Sequence, residues 1–177
     1  MRLNIIGRIA AAVTLVAIAP LLGFIALAVA CEDGSPVLFR QIRVGQFGRH
    51  FNMYKFRSMR TRPGLPLTCK GDPRVTRVGR FLRAWKLDEL PQFWNIVRGE
   101  MAWIGPRPEV PEFVEMDDPL WLQVLQMRPG LADAASIAFR NEEQLLASVP
   151  DPQDYYRHEI LPRKLRMSIE HSVRRPR

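Results

Sequence analysis

Residues 86–92 read KLDELPQ, with the acids Asp88 and Glu89 side by side, a leucine on each flank and a proline at position 91. Neighbouring carboxylates repel, so a stable arrangement needs a compensating positive group: a helix N-terminus, a guanidinium or a metal ion. The preceding chain is rich in such groups. Between residues 40 and 86, Lys and Arg recur throughout and Asp72 is the single acid. The pair is an isolated negative point at the end of a basic stretch.

Downstream of the pair, Leu90, Phe93, Trp94 and Val97 recur at helical spacing and Gly99 stands where a helix would end, which predicts a helix from about Asp88 to Arg98. Upstream, Asp72 and Pro73 offer an N-cap and a first-turn proline. In the helix they would open, Val75, Val78, Leu82 and Trp85 form an apolar side, and Arg74, Arg77, Arg80 and Arg83 recur every third residue. That arginine row reads either as a solvated face or as a contact with lipid headgroups or substrate phosphates. Earlier still, VLFRQIRV (37–44) and FNMYKFRSM (51–59) flank GQFGR, the pattern of a β-hairpin. Residues 61–71, with two prolines and two glycines, read as a loop. Beyond residue 100, WIGPRP (103–108) is stiffened around Arg107 and MRPG (127–130) around Arg128. Residues 109–127 and 141–148 read as helices, and the tail from 153 is polar.

From Ile9 to Cys31 there is no charged residue. As a helix this run would reach roughly 34 Å, enough to cross a bilayer core. Pro20 falls at its midpoint, where it removes a backbone hydrogen bond and should kink the helix. A cleaved signal peptide, a spanning helix and a helix that enters the membrane and turns back all fit these residues. Basic residues flank both ends, so the positive-inside rule gives no sidedness.

The 177 residues allow one ordinary domain beside that segment. With 26 Lys and Arg against 18 acids, the net charge of +8 points to an anionic partner: nucleic acid, acidic lipid or a phosphorylated small molecule. Cys31 and Cys69 form no CxxC pair, which argues against a disulfide framework or a zinc site. Cys69 reads as a free thiol.

For Asp88 itself, helix capping accounts for one carboxylate at most. A site that handles a pyrophosphate has use for both. Arginines and a helix N-terminus hold phosphate oxygens, Mg²⁺ bridges a carboxylate to them, and the second carboxylate is left to act on phosphorus. Adjacent helical residues point about 100° apart, so one would attack while the other holds metal.

LRAWKLDELPQFWNIVRGEMAWIGPRP (82–108), with YKFRSM (54–59) upstream and RPGL (128–131) downstream, resembles the bacterial sugar transferases, the monotopic polyprenyl-phosphate phosphoglycosyl transferases. The resemblance implies an α+β fold: a mainly helical small cytoplasmic domain with a β-hairpin, residues 34–177, on an N-terminal re-entrant membrane helix, residues 1–33, broken at Pro20. It implies a monotopic enzyme at the cytoplasmic face of the inner membrane, with a UDP-sugar donor, a polyprenyl phosphate acceptor, membrane lipid around it and no nucleic acid partner. By that resemblance Asp88 attacks the β-phosphate, UMP leaves, and the acceptor collects the sugar phosphate. Glu89 matches the Mg²⁺ ligand and Arg83 the arginine that supports the pair. Lys55, Arg107 and Arg128 match basic residues near the phosphates. The chain departs from the family pattern at Trp85 and Lys86, where small or hydroxylated residues are common, at LADAAS after RPG, and at Ala19, where a serine often precedes the proline. Two rival functions are a membrane-anchored nucleic-acid-binding module built on the basic stretch and a catalytically silent membrane scaffold.

Overall fold

In the computed structural model, residues 2–60 and 71–173 are described. They form two compact units, one of residues 2–42, 52–60 and 71–101, the other of residues 43–51 and 102–173. The fold is α+β and mainly helical, with two small two-stranded sheets.

In the first unit the uncharged run folds as α1 (Arg2–Ala17) and α2 (Ala19–Asp33), which meet at Ile18 with a bend of 61°. Pro20 occupies the second position of α2. There its missing N–H is tolerated, but its ring opposes a helical carbonyl four residues back, so the chain bends before it. Hydrogen bonds continue on both sides of the bend, from Ile18 N–H to the Thr14 carbonyl and from Leu22 N–H to that of Ile18. Among the described residues no single helix is long and apolar enough to cross a membrane, whereas the bent pair together has the length and composition. Cys31 is a free, exposed thiol; Cys69 and most of the expected 61–71 loop lie outside the described residues.

The expected hairpin forms from β1 (Leu38–Val44) and β2 (His50–Phe56), with a short turn at Gln46–Gly48 in which Phe47 has φ 59°. Two helices follow, α3 (Arg77–Ala84) and α4 (Gln92–Arg98). Their starts differ from the sequence expectation. Thr76, not Asp72, caps α3 by accepting from Gly79 N–H at 2.9 Å, because the Asp72 carboxylate is taken by the Arg74 guanidinium at 2.6 Å. Asp88 and Glu89 lie in a separate single turn, Leu87–Glu89, ahead of α4. The buried side of α4 is formed by Gln92, Phe93, Asn95 and Ile96, and Trp94 is half exposed. Ile25 and Val29 of α2 share a core cluster with Phe56 and Leu82, onto which Leu22, Val78, Leu87 and Leu90 pack.

The second unit carries the parallel pair β3 (Ala102–Ile104) and β4 (Gly130–Ala132), with Ala102 opposite Gly130 and Ile104 opposite Ala132. The helix expected over 109–127 is instead a single turn at Pro111–Phe113 and a short α5 (Pro119–Val124). Each begins on a proline, and a proline disfavours helical geometry in the residue before it. Asp118 restarts the chain by capping Leu120 N–H at 2.6 Å. After α6 (Ala134–Ala138) and α7 (Glu142–Leu146), the polar tail forms α8 (Pro152–Tyr155), a π-helical turn at Tyr156–Ile160, and α9 (Leu161–Val173). Tyr156, Ile160, Leu161 and Leu165 project from this tail into a core with Val110, Phe113, Trp121 and Val124.

Candidate active site

The KLDELPQ turn joins α3 to α4 and is built from tight local bonds. Glu89 N–H donates to the Lys86 carbonyl and Leu90 N–H to that of Leu87. Lys86 opens the turn in left-handed geometry, φ 56°, a conformation that costs a side-chain-bearing residue about 1 kcal/mol. Leu87 and Leu90 pack onto the apolar cluster. The flanking leucines thus anchor the turn, and the two acids between them are held by it.

Asp88 and Glu89 are buried, 6% and 9% exposed. Asp88 Oδ1 has no hydrogen-bond partner among the described residues, which is costly for a buried acceptor unless something else binds it. Burial, and then the neighbouring Glu89 charge, push the Asp88 carboxyl above its ordinary range; Lys55, Arg83 and Lys86 pull the other way. The structure therefore gathers Asp88, Glu89, Lys55 and Arg83 electrostatically, with Lys86 added to the set. The sequence expected Lys86 as a departure from the pattern, and here it is a third cation acting on Asp88.

Arg83 and Lys55 lie on elements that nearby packing features hold in place. Arg83 lies on α3, which is drawn against the end of the hairpin at Gly79. There a β-carbon would stand 2.0 Å from the Ser58 carbonyl oxygen. Lys55 lies on β2, which is tied to α4 by the fully buried Asn95. The Asn95 amide donates to the Asn52 carbonyl and to Glu100 Oε2, each at 2.7 Å, and its oxygen accepts from Tyr54 N–H at 3.3 Å. Asn95 was not singled out by its sequence position; an amide on the inner side of an otherwise apolar helix was the available signal.

Arg107 and Arg128 belong to the second unit, on adjoining loops. Gly130 N–H donates to the Pro106 carbonyl at 3.0 Å, and Gly105 meets Gly130 so closely that neither position has room for a side chain. Two residues past Arg107, Glu109 is held by Arg43 at 3.0 Å and by the Tyr156 hydroxyl at 2.5 Å. Burial would raise the Glu109 carboxyl, but Arg43 and Lys164 outweigh it and hold the group below its ordinary range. Sequence reading missed Glu109, although an acid directly after a basic GPRP is the same kind of signal as an acid pair after a basic helix.

The donor set suits a hard divalent cation. The buried Glu89 carboxylate, beside Asp88 whose Oδ1 has no hydrogen-bond partner among the described residues, supplies a hard oxygen donor of the kind Mg²⁺ takes from a protein when phosphate and water provide the rest. Among the described residues no group of three His, Cys, Asp or Glu side chains gathers as a metal cage.

Comparison with known proteins places the chain in a family. The bacterial sugar transferase profile matches residues 3–167. The chain is 41% identical over 143 residues to the UDP-glucose:undecaprenyl-phosphate glucose-1-phosphate transferase of Caulobacter vibrioides, covering 77% of this chain and 54% of that protein. It is 40% identical over 135 residues to the UDP-N-acetylgalactosamine-undecaprenyl-phosphate N-acetylgalactosaminephosphotransferase of Aeromonas hydrophila, covering 73% and 32%. The undecaprenyl-phosphate glucose phosphotransferase of Komagataeibacter xylinus is 48% identical over 107 residues, covering 58% and 20%. The chain thus spans between a fifth and about half of the length of these relatives. On the extent of the profile match and these identities, the chain belongs to the bacterial sugar transferase family.

Proposed function

We propose that the protein is a phosphoglycosyl transferase that moves a sugar 1-phosphate from a UDP-sugar to undecaprenyl phosphate through an aspartyl phosphosugar intermediate. The observation that carries this reading is the buried Asp88 carboxylate, with an oxygen that has no hydrogen-bond partner among the described residues and with Lys55, Arg83 and Lys86 acting on it. The names of the relatives supply the donor and acceptor classes.

An Asp88 carboxylate oxygen forms a bond to the β-phosphorus of the donor while the bond from that phosphorus to the bridging oxygen breaks, and UMP leaves with the electron pair. An oxygen of the polyprenyl phosphate then attacks the same phosphorus and Asp88 departs as the free carboxylate. Splitting one displacement into two is the gain of a covalent route. Lys55 and Arg83 offset the negative charge that gathers as the donor approaches a carboxylate. Arg107 and Arg128, on loops of the second unit locked together at Gly105 and Gly130, are proposed as phosphate-binding residues. Glu89 would hold Mg²⁺, which when bound neutralises diphosphate charge and polarises the phosphorus.

The bent pair α1 and α2, within residues 1–33, enters the bilayer and returns, leaving residues 34–177 at the cytoplasmic face of the inner membrane. Ile6, Ile9, Val13, Val16, Phe24 and Leu27 are exposed, an apolar surface that lipid would cover. On α3, Arg77, Arg80 and Phe81 share an exposed side, and Trp85 after it is 70% exposed, the mixture of aromatic and basic side chains that suits a headgroup layer. The apolar side expected to include Trp85 stops at Leu82.

The test is UMP release by the purified chain with UDP-sugars, Mg²⁺ and undecaprenyl phosphate. The reading predicts release that is lost in Asp88→Asn. Release from no donor, or Asp88→Asn equal to the parent, would contradict it.

A further inference from the structure

We propose that Arg8 and Glu32, the charged residues that bound the uncharged run, clamp the two helices on either side of the Asp88–Glu89 turn and so act as positioning residues for it. The proposal rests on the reading that this turn carries the chemistry.

The turn hangs between α3 and α4, with only residues 85–91 linking them. From the start of the membrane segment, Arg8 Nε–H donates to the Val97 carbonyl at 2.7 Å. Val97 lies in the last turn of α4, where carbonyls have no partner within the helix. Gly99 ends that helix in left-handed geometry, φ 79°, and the Arg8 guanidinium lies beside it. From the other end of the segment, the Glu32 carboxylate accepts from Arg77 N–H at 2.7 Å and Val78 N–H at 2.8 Å, the first two residues of α3. A cation therefore sits at a helix C-terminus and an anion at a helix N-terminus, each with the sign that the helix dipole favours.

Between these two contacts the segment also carries the turn on its apolar side. Ile25 and Val29 of α2 belong to the cluster that takes Leu87 and Leu90, the leucines bracketing the acids, and α1 lies along α4. The turn's internal bonds are few and at 3.2–3.3 Å. Its geometry is therefore set largely from outside, by how α3 and α4 are held. One bent element grips both, so seating that element in lipid and aligning the carboxylates become a single event. The run from residue 9 to residue 31 supplies no other charge that could do this.

The test uses the full chain in lipid nanodiscs, with hydrogen–deuterium exchange of the peptide over residues 85–92 measured without substrate, and with kcat and KM for UMP release. Losing one cap is expected to speed exchange in that peptide about fivefold in Arg8→Gln and in Glu32→Gln, leaving β2 protected. The expected kinetic result is a fall in kcat with the donor KM within about twofold, since ground-state binding is not what the caps supply. Arg8→Lys, which keeps the charge, should recover most of both losses. Unchanged exchange over 85–92 would overturn the clamp, and so would exchange that rises equally in β2, which would mark the two as residues of general stability. An active Asp88→Asn would instead contradict the proposed chemistry and leave the exchange result to judge the clamp by itself.

Discussion

Gly79 of α3 rests on the Ser58 carbonyl, so close that a β-carbon would meet that oxygen at 2.0 Å and the carbonyl carbon at 2.6 Å. Both obstacles are backbone and cannot swing aside. The Thr76 N–H bond to the same Ser58 oxygen, 3.1 Å, fixes the approach. Gly79→Ala is therefore expected to push α3 off the hairpin end, at a cost of about 2 kcal/mol or more, and to carry Arg83 with it. Urea unfolding checks the stability, and a reduced kcat/KM for the UDP-sugar checks the displaced arginine.

Asp88 predicts a stability that runs against activity. Its carboxyl titrates above the ordinary range because burial and Glu89 disfavour the charge. A carboxyl with a raised folded-state pKa gives stability that is fully present below its unfolded value and is lost as pH rises through the folded one. Asp88→Asn, neutral throughout, should melt at a higher temperature than the parent near pH 7, with the difference shrinking in acid. Thermal scans at both pH values measure it. An unaltered midpoint near pH 7 would mean the charge carries no such cost.

Lys86 gives a separable pH signature. Its left-handed backbone suits asparagine, which tolerates φ above zero. Lys86→Asn should fold at least as stably as the parent while removing one of the cations that lower the Asp88 carboxyl. The acid limb of the pH–kcat profile should therefore move to higher pH, because more alkali is then needed to free the attacking carboxylate. A limb that stays in place would remove Lys86 from the site.

Glu109 anchors the second unit. It accepts from Arg43 and Tyr156 in a part-buried setting, and Lys164 bonds to Glu142 at 2.9 Å nearby. Glu109→Ala removes the carboxylate from the part-buried Arg43, which keeps its bond to the Pro108 carbonyl, and should cost about 2 kcal/mol. Since Glu109 is held below its ordinary range, the stability it gives is present above the unfolded glutamate pKa and lost as pH falls through the folded value. Urea midpoints taken across that acid range should fall less steeply for the variant than for the parent, the remaining fall coming from carboxylates such as Asp72 that are also held below their ordinary range.

Much of this was legible in the residues. The β-branched and aromatic residues of VLFRQIRV and FNMYKFRSM on either side of GQFGR gave the hairpin, the uncharged run gave the helix pair, and the basic stretch ending in two acids marked the turn. Other features were beyond local pattern. Asp72 looked like a helix cap, but Arg74 two residues on competed for its carboxylate, so Thr76 took the role. Residues 109–127 carry helical spacing, yet Pro111 and Pro119 cut them into short pieces. The polar tail hid its buried side because Tyr156, Ile160, Leu161 and Leu165 are spaced across a π-helical turn that shifts the helical period. Contacts of long sequence separation, such as Arg8 with Val97 and Glu32 with Arg77, leave no trace in spacing at all.

The most direct measurement of the central claim is the mass of the polypeptide during turnover. The full chain is mixed with UDP-sugar and Mg²⁺ in the absence of acceptor, quenched in acid, digested and weighed. The peptide containing Asp88 is expected to gain the mass of one sugar phosphate, to lose it when undecaprenyl phosphate is added, and to show none in Asp88→Asn. Product that accumulates while that peptide never gains mass would contradict the account.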